Sequence, residues 1–178
     1  PAGVGALIVA PGHKATAAIR GGGQERSRRG GTENLAGIAG FGAAAEAAKA
    51  DIARLQGLGV LRDRMETAIL QARPEATVFA KGRERLATTS CLTMPGVSSE
   101  TQVMAFDLDG IAVSAGSACS SGKVAESHVL TAMGADEDAV KSAIRVSLGW
   151  TTTEEEIDQF TAAWKTLNAR VGGGSLAA

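Results

Sequence analysis

Cys119 stands in a run of small residues, positions 114–122, which ends at Lys123. Small side chains pack weakly and glycine tolerates unusual backbone angles, so this run predicts a loop that can move. Lys123 and any nearby helix N-terminus would favour the thiolate, the form of cysteine that attacks electrophilic sulfur. Two interpretations of Cys119 follow: a reactive thiol on a movable loop, or a cysteine that happens to lie in a flexible surface loop.

Arg145 is a charged residue in the otherwise apolar strand pattern of residues 143–148. A charge in such a strand must reach solvent or a partner anion, because burying it alone is costly. Its planar guanidinium group can hold a small carboxylate through two parallel hydrogen bonds, which makes Arg145 a candidate substrate-binding residue. A structural ion pair with an acidic side chain of the same protein is the alternative.

Thr32 lies near the end of a glycine-rich and arginine-rich run, residues 20–34, that precedes a long helical pattern. Backbone N–H groups, a hydroxyl and guanidinium groups together suit a phosphate or another anion. The run matches neither GxGxxG nor the Walker pattern, so an ordinary solvated loop remains the alternative. Its arginines lack interleaved aromatic residues and therefore do not favour RNA binding.

Three other reactive residue types are interpreted as structural. Cys91 lies in an alternating strand pattern, where a buried and unreactive thiol is expected. His13 and Lys14 follow a Pro-Gly pair, which predicts a solvated turn. His128 begins a short amphipathic helix, and we expect it to be packed rather than catalytic.

Composition narrows the function classes. The chain has 178 residues, 18 basic and 19 acidic, for a net charge of -1, so no overall field attracts nucleic acid or a membrane surface. Aromatic residues make up 3%, too few for base-stacking platforms. The two cysteines form no CxxC or Cys/His cluster, which disfavours structural zinc. With no signal peptide pattern or apolar run of membrane length, we expect a reducing cytoplasm.

The pattern of elements predicts an α/β protein. Residues 6–10 read as a buried strand, and because such a strand needs neighbours we expect the chain to begin inside a domain whose earlier part it lacks. Residues 35–71 read as one long helix, or as a pair joined near residues 57–59. Residues 74–171 alternate strands and helices in a compact α/β or α+β unit. The predicted division is 1–50, the end of a larger domain; 51–73, a connecting helix; and 74–178, a small domain with a mobile tail.

Several separated segments together resemble one family. They keep the order and approximate spacing of the C-terminal part of a cysteine desulfurase of the NifS/IscS type, a fold type I pyridoxal phosphate enzyme. The segments are residues 3–7 (GVGAL), 21–26 (GGGQER), 29–34 (RGGTEN), 114–121 (SAGSACSS), 127–130 (SHVL) and 144–149 (IRVSLG). The resemblance implies the small C-terminal α/β domain of that fold, the tail end of its large domain, and a long connecting helix.

The resemblance also implies a function. L-cysteine would be converted to L-alanine with pyridoxal 5'-phosphate as cofactor. Cys119 would be the catalytic residue that takes the sulfur as a persulfide, and through it a transient iron-sulfur ligand. Arg145 would bind the substrate carboxylate, and Thr32 would donate to the cofactor phosphate in the neighbouring subunit of a homodimer. The sulfur would pass to an iron-sulfur scaffold or a sulfur-relay protein, in iron-sulfur cluster or other sulfur-containing cofactor biosynthesis.

One departure from the family pattern limits this expectation. The lysine that carries the cofactor would lie before Pro1, and neither Lys14 nor Lys123 occupies its place. We therefore expect this chain alone to be inactive. Two alternatives remain: a selenocysteine lyase or other β-eliminating pyridoxal phosphate enzyme, and a non-catalytic dimerisation or interaction fragment.

Overall fold

The structure is a computed structural model that describes residues 2–116 and 127–172. It divides into two compact units, unit 1 (Pro1–Ile52) and unit 2 (Ala53–Ala178). The mixture of helices and a sheet confirms the predicted α/β class. In chain order the elements are α1 (Gln24–Ser27), α2 (Leu35–Ala72), β1 (Thr89–Thr93), α3 (Ser99–Leu108), β2 (Ser114–Ala115), α4 (His128–Ala132), α5 (Glu137–Ser142), β3 (Ala143–Ser147) and α6 (Glu154–Gly172).

Residues 6–10 of unit 1 do not form the predicted buried strand. Leu7 and Ile8 are 83% and 95% exposed, and no described segment pairs with this stretch. A strand depends on backbone pairing with a neighbour, which an apolar run cannot supply for itself. The turn after it was predicted correctly: the N–H of His13 donates to the carbonyl of Ala10 at 3.2 Å, and Gly12 has φ of +85°.

The glycine-rich loop closes on itself through backbone contact. The N–H of Gly30 donates to the carbonyl of Ile19 at 2.7 Å. A Cβ atom on Gly30 would lie 2.6 Å from the carbonyl oxygen of Arg20, closer than real Cβ contacts come. Gly21 is equally constrained, because a Cβ there would lie 2.7 Å from the Cα of Gly30. The loop therefore requires glycine at both positions.

Helix α2 is one continuous helix rather than a pair. It begins after Asn34, whose side-chain oxygen accepts from the N–H of Gly37 at 3.0 Å. It continues through Gly57 and Gly59, since Leu58 between them is buried in the core of unit 2 and its packing offsets the low helix propensity of glycine. The predicted connecting segment at 51–73 lies within this helix except for its last residue, and the proposed domain limits stay a prediction.

Unit 2 contains a three-stranded antiparallel sheet in the order β1-β3-β2. The segment at residues 77–80, before β1, contributes one isolated bridge, between Val78 and Leu92. Ala80 then adopts φ of +56°, which turns the chain away from the sheet. Strand β3 alternates buried Ile144 and Val146 with exposed positions, so the sheet has a core face and an open face.

The core face of the sheet is covered by helices. Trp164 of α6, Phe106 of α3 and Met65 of α2 are fully buried there, and the rings of Phe106 and Phe160 lie 5.3 Å apart. Burying side chains of this size supplies most of the stabilisation of such a unit. Among the described residues no helix is both long and apolar enough to cross a bilayer.

Local caps fix the helices where the sequence predicts them. Ser98 accepts from the N–H of Thr101 at the start of α3, and Asp136 accepts from the N–H of Ala139 at the start of α5. Helix α6 begins with a reciprocal pair. The hydroxyl of Thr153 accepts from the N–H of Glu156, and the Glu156 carboxylate accepts from the N–H of Thr153. This reciprocal pair is a capping box.

Candidate functional site

Arg145 is the middle member of a row across the open face of the sheet. Its partner in β1 is Cys91 and its partner in β2 is Ser114. Directly paired residues of antiparallel strands point to the same side, so the three side chains share one face. The Nη2 atom of Arg145 donates to the hydroxyl of Ser114 at 3.5 Å.

No carboxylate lies within ion-pair distance of Arg145 among the described residues. The structural ion pair that the sequence left open is therefore not found in this part of the chain. An exposed guanidinium with a neutral hydroxyl beside it keeps donors available for an external anion. This arrangement suits a small carboxylate, as predicted.

The row opens into a cavity of about 440 Å³. Its walls come from the sheet, from α4 and from the loop before β1, and most of them are apolar. The polar lining residues are Arg145, Cys91, Arg85, Thr89, Ser127 and His128. A mostly apolar concave site with a few convergent polar groups is typical of small-molecule binding.

Helix α4 brings His128 to this cavity. Ser127 caps the helix, its hydroxyl accepting from the N–H of Leu130 at 3.4 Å. Leu130 is buried against Val140 and Ala143 in a second small core, which fixes the helix beside the sheet. The expectation that His128 is packed was wrong, because its side chain is exposed and lines the cavity. Helix α4 has only five residues and buries only Leu130, so its first residue, His128, remains exposed.

Cys91 is half-buried in the same cavity rather than fully buried. Burial raises the pKa of its thiol above that of an ordinary cysteine, and the positive charge of Arg145 opposes this rise in part. The thiol of Cys91 is therefore protonated at neutral pH. The prediction of an unreactive thiol fits this state, although the residue lies in the cavity.

Arg85 is held by a buried acid that the sequence interpretation missed. Its Nη1 and Nη2 atoms donate to the two carboxylate oxygens of Glu66, both at 2.7 Å. These hydrogen bonds raise the pKa of Arg85. The Glu66 side chain is 1% exposed and that of Arg85 is 15% exposed. A charge within the apolar stripe of α2, between Met65 and Ile69, was the available signal.

The other two predicted site residues, Cys119 and Thr32, are not among the described residues that line the Arg145 cavity. Cys119 lies outside the described residues, but Gly116 and Ser127, which border that segment, both line the Arg145 cavity. Thr32 belongs to unit 1, where it is exposed just before α2 and follows Gly31, which has φ of +96°. Its hydroxyl is therefore accessible, as a phosphate-binding role requires.

The described residues fit part of a cofactor site. In unit 1, an exposed threonine beside a tight glycine loop suits a phosphate such as that of pyridoxal phosphate. In unit 2, Arg145 suits the carboxylate of an amino acid. No lysine is among the described residues that line the cavity. Residues 2–116 and 127–172 also contain no group of three or more His, Cys, Asp or Glu side chains arranged to hold a metal ion.

Comparison with known proteins shows similarity to one family over nearly the whole chain. The family model described as aminotransferase class-V matches residues 1–160. A cysteine desulfurase of Cereibacter sphaeroides is 44% identical over 160 residues, covering 89% of this chain and 41% of the relative. The cysteine desulfurase NifS of Azotobacter vinelandii is 41% identical over 160 residues, covering 89% of this chain and 40% of the relative. This chain thus spans about two fifths of the length of these relatives.

A solved structure of a NifS-like protein has a similar fold. The NifS-like protein of Rickettsia africae matches with a TM-score of 0.74 and 35% sequence identity. The match covers 88% of this chain and 41% of that protein.

Proposed function

Since this chain belongs to the aminotransferase class-V family, we propose that it is part of a pyridoxal phosphate-dependent cysteine desulfurase. The reaction converts L-cysteine to L-alanine and leaves the sulfur on Cys119 as a persulfide. Two findings support this. Two relatives named cysteine desulfurase are 44% and 40% identical to the chain. Arg145 is available in a cavity that is also lined by Gly116 and Ser127, which flank the Cys119 segment in the sequence.

The observation that carries the proposal is the state of Arg145. It lies in the central strand, which pairs on both sides and is therefore held rigidly. Its guanidinium has a hydroxyl neighbour and no carboxylate partner among the described residues. A donor fork that extends from a backbone held on both sides and lines a cavity can bind the substrate carboxylate, which would set the position of the substrate sulfur.

The roles of the remaining residues follow from this orientation. Ser114 accepts one donor of Arg145 and so limits its rotation. The Cys119 thiolate would form a bond to the substrate sulfur, the carbon–sulfur bond would break, and its electron pair would stay with carbon. That carbon would then take up a proton, which completes alanine. When bound, the cofactor supplies an electron sink for loss of the substrate α-proton.

Thr32 would bind the cofactor phosphate across a homodimer interface, so a complete site would need residues from two subunits. The persulfide would pass to a protein acceptor, an iron-sulfur scaffold or a sulfur-relay protein, and could hold iron transiently through sulfur. Cytoplasmic location is consistent with thiol chemistry that needs a reducing compartment. Neither nucleic acid nor a membrane is part of the proposal.

The test uses the full-length protein with pyridoxal phosphate and L-cysteine. We expect alanine to form, with one extra sulfur atom on the peptide that contains Cys119. Cys119→Ala should abolish the persulfide and sulfur transfer, whereas the matched variant Cys91→Ala should keep both. Normal sulfur release from Cys119→Ala would refute the proposal. Greater turnover of L-selenocysteine than of L-cysteine would instead indicate a selenocysteine lyase.

A further inference from the structure

The charged side chains that line the Arg145 cavity, among the described residues, are all positive. Two arginines line it, Arg145 and Arg85, and no described lining residue is acidic. Without a counter-charge the cavity would present two guanidinium groups to any small molecule that enters. Such a cavity would favour molecules with two negative charges over those with one.

The negative charge that balances Arg85 comes from Glu66, which does not itself line the cavity. Glu66 projects from α2 and takes up both outer nitrogens of Arg85 in two parallel hydrogen bonds. Arg62 and Asp63 lie beside this pair: Arg62 donates to Asp63 at 2.7 Å, and its Nε atom is 3.9 Å from the Glu66 carboxylate, farther than the 2.7 Å contacts of Arg85 with Glu66. Asp63 is 3.9 Å from Arg85 and 61% exposed, so water screens it far more strongly than it screens Glu66.

Arg62 also helps to hold the loop before β1, the segment that carries Arg85 and lines the cavity. The Nη1 atom of Arg62 donates to the carbonyl of Leu86 at 2.7 Å, next to the Arg85–Glu66 pair. The N–H of Leu148 donates to the carbonyl of Thr88 at 2.7 Å. The segment that carries Arg85 is thereby tied to α2 on one side and to the end of β3 on the other. Arg85 cannot turn its donors to the cavity while Glu66 holds them.

We propose that Glu66 is a specificity-determining residue, which neutralises Arg85 and leaves Arg145 as the cation that selects substrate. The cavity then accepts an amino acid with a single carboxylate and an uncharged side chain, and disfavours dicarboxylates. Glu66 acts through Arg85 and is a positioning residue, not a catalytic one. The preference for an amino acid rests on the proposed function, whereas the charge balance of the cavity does not.

Cys91 provides a reporter of that charge inside the cavity. Its thiolate displaces iodide from iodoacetamide, which is neutral, and from iodoacetate, which is an anion. The ratio of the two rates cancels thiol pKa and accessibility and leaves the effect of the local charge. Modification is followed by the mass of the peptide that contains Cys91, in the full-length protein carrying Cys119→Ser.

Glu66→Gln should raise the iodoacetate-to-iodoacetamide ratio about fivefold at low salt, the order expected for a unit charge uncovered within ~10 Å. The rise should shrink as salt is added. The matched variant Asp63→Asn removes a more exposed carboxylate from the same helix and should leave the ratio nearly unchanged. An unchanged ratio in Glu66→Gln would overturn the proposal.

The double variant separates charge from packing. Glu66→Gln combined with Arg85→Gln removes both charges and should return the ratio to that of the parent. If the double variant keeps the raised ratio, Arg85 is not the uncovered cation and the proposal is wrong. Should Glu66→Gln fail to fold by circular dichroism, Arg85→Gln gives the opposite test: the ratio should fall, and an unchanged ratio would again overturn the proposal.

A final arm tests selectivity on turnover. In Glu66→Gln, inhibition by L-aspartate should strengthen about fivefold relative to inhibition by L-alanine, for the same electrostatic reason. An unchanged relative inhibition would refute the selectivity. Absence of L-cysteine turnover in the parent, together with the expected iodoacetate ratios, would refute the proposed function and leave the charge balance intact.

Discussion

Arg145 of β3 lies directly opposite Cys91 of β1, so a guanidinium group and a thiol share the open face of the sheet. This pairing makes Cys91 sensitive to the residue that we propose binds the substrate carboxylate. It also explains the opposing influences on the thiol, since burial favours the protonated form and the adjacent cation favours the thiolate.

Reaction of Cys91 with iodoacetamide should therefore depend on pH in a way that Arg145 controls. The raised pKa of Cys91 predicts that the rate of this reaction increases through a midpoint at higher pH than for an unburied cysteine. Arg145→Gln should move the midpoint higher, because the opposing charge is lost. Arg83→Gln, an exposed arginine outside the cavity, serves as the control and should leave the midpoint in place. A lower midpoint in Arg145→Gln would contradict this assignment.

The same thiol adds a small dependence of stability on pH. Because the folded state raises the pKa of Cys91, it binds the proton more tightly than the unfolded state does. The contribution is complete below the pKa of the unfolded chain and is lost as pH rises through the higher pKa of the folded state. Cys91→Ala should flatten the fall in unfolding free energy at alkaline pH, where the thiol of the unfolded chain ionises, as measured by urea denaturation.

Arg145 itself should govern substrate binding. In the full-length protein we expect Arg145→Met to raise KM for L-cysteine about 100-fold, the equivalent of one or two charge-assisted hydrogen bonds. Arg145→Lys should recover part of the loss, because it restores the charge but not the two parallel donors. Steady-state kinetics measures both, with Arg83→Met as a control. An unchanged KM in Arg145→Met would remove Arg145 from the substrate site.

Phe106 should be a main contributor to the stability of unit 2. It is fully buried and its ring packs against that of Phe160. Phe106→Ala should lower the free energy of unfolding by about 3–5 kcal/mol, since it leaves a cavity in the core. Met104→Ala, on the same helix but 66% exposed, should cost less than about 1 kcal/mol. Urea denaturation, monitored by circular dichroism, measures both free energies of unfolding. Equal losses in Phe106→Ala and Met104→Ala would show that Phe106 is not a core residue.

The glycine-rich loop of unit 1 offers a matched pair of glycines. Gly30→Ala should disrupt the loop, because its Cβ would lie 2.6 Å from the carbonyl oxygen of Arg20. Gly23→Ala should be tolerated, since nothing lies within 4 Å of a Cβ there and its φ of -84° suits any residue. Hydrogen exchange at the amide of residue 30, which donates to Ile19, should speed up in the first variant only. Equal exchange rates would show that the close approach is not required.

Features that depend on nearby residues were predictable from the sequence. The caps at Ser98, Asp136 and Thr153 each join groups three positions apart, so the local order of residues determines them. The charge of Arg145 in an otherwise apolar strand pattern likewise predicted that its side chain reaches solvent or a partner anion. The absence of a strand at residues 6–10 was not predictable in this way, because hydrogen-bonded pairing needs a second segment that the pattern does not reveal.

By itself, the sequence determined the α/β class, the family resemblance and the choice of Arg145 as a candidate substrate-binding residue. The tertiary structure decided which residues share its cavity: Cys91, His128 and Arg85, with Glu66 behind the wall. Glu66 and Arg85 lie 19 positions apart in the chain and meet because α2 packs beside the loop before β1. Contacts of this kind are set by the packing of whole elements, which no local pattern of residue types encodes.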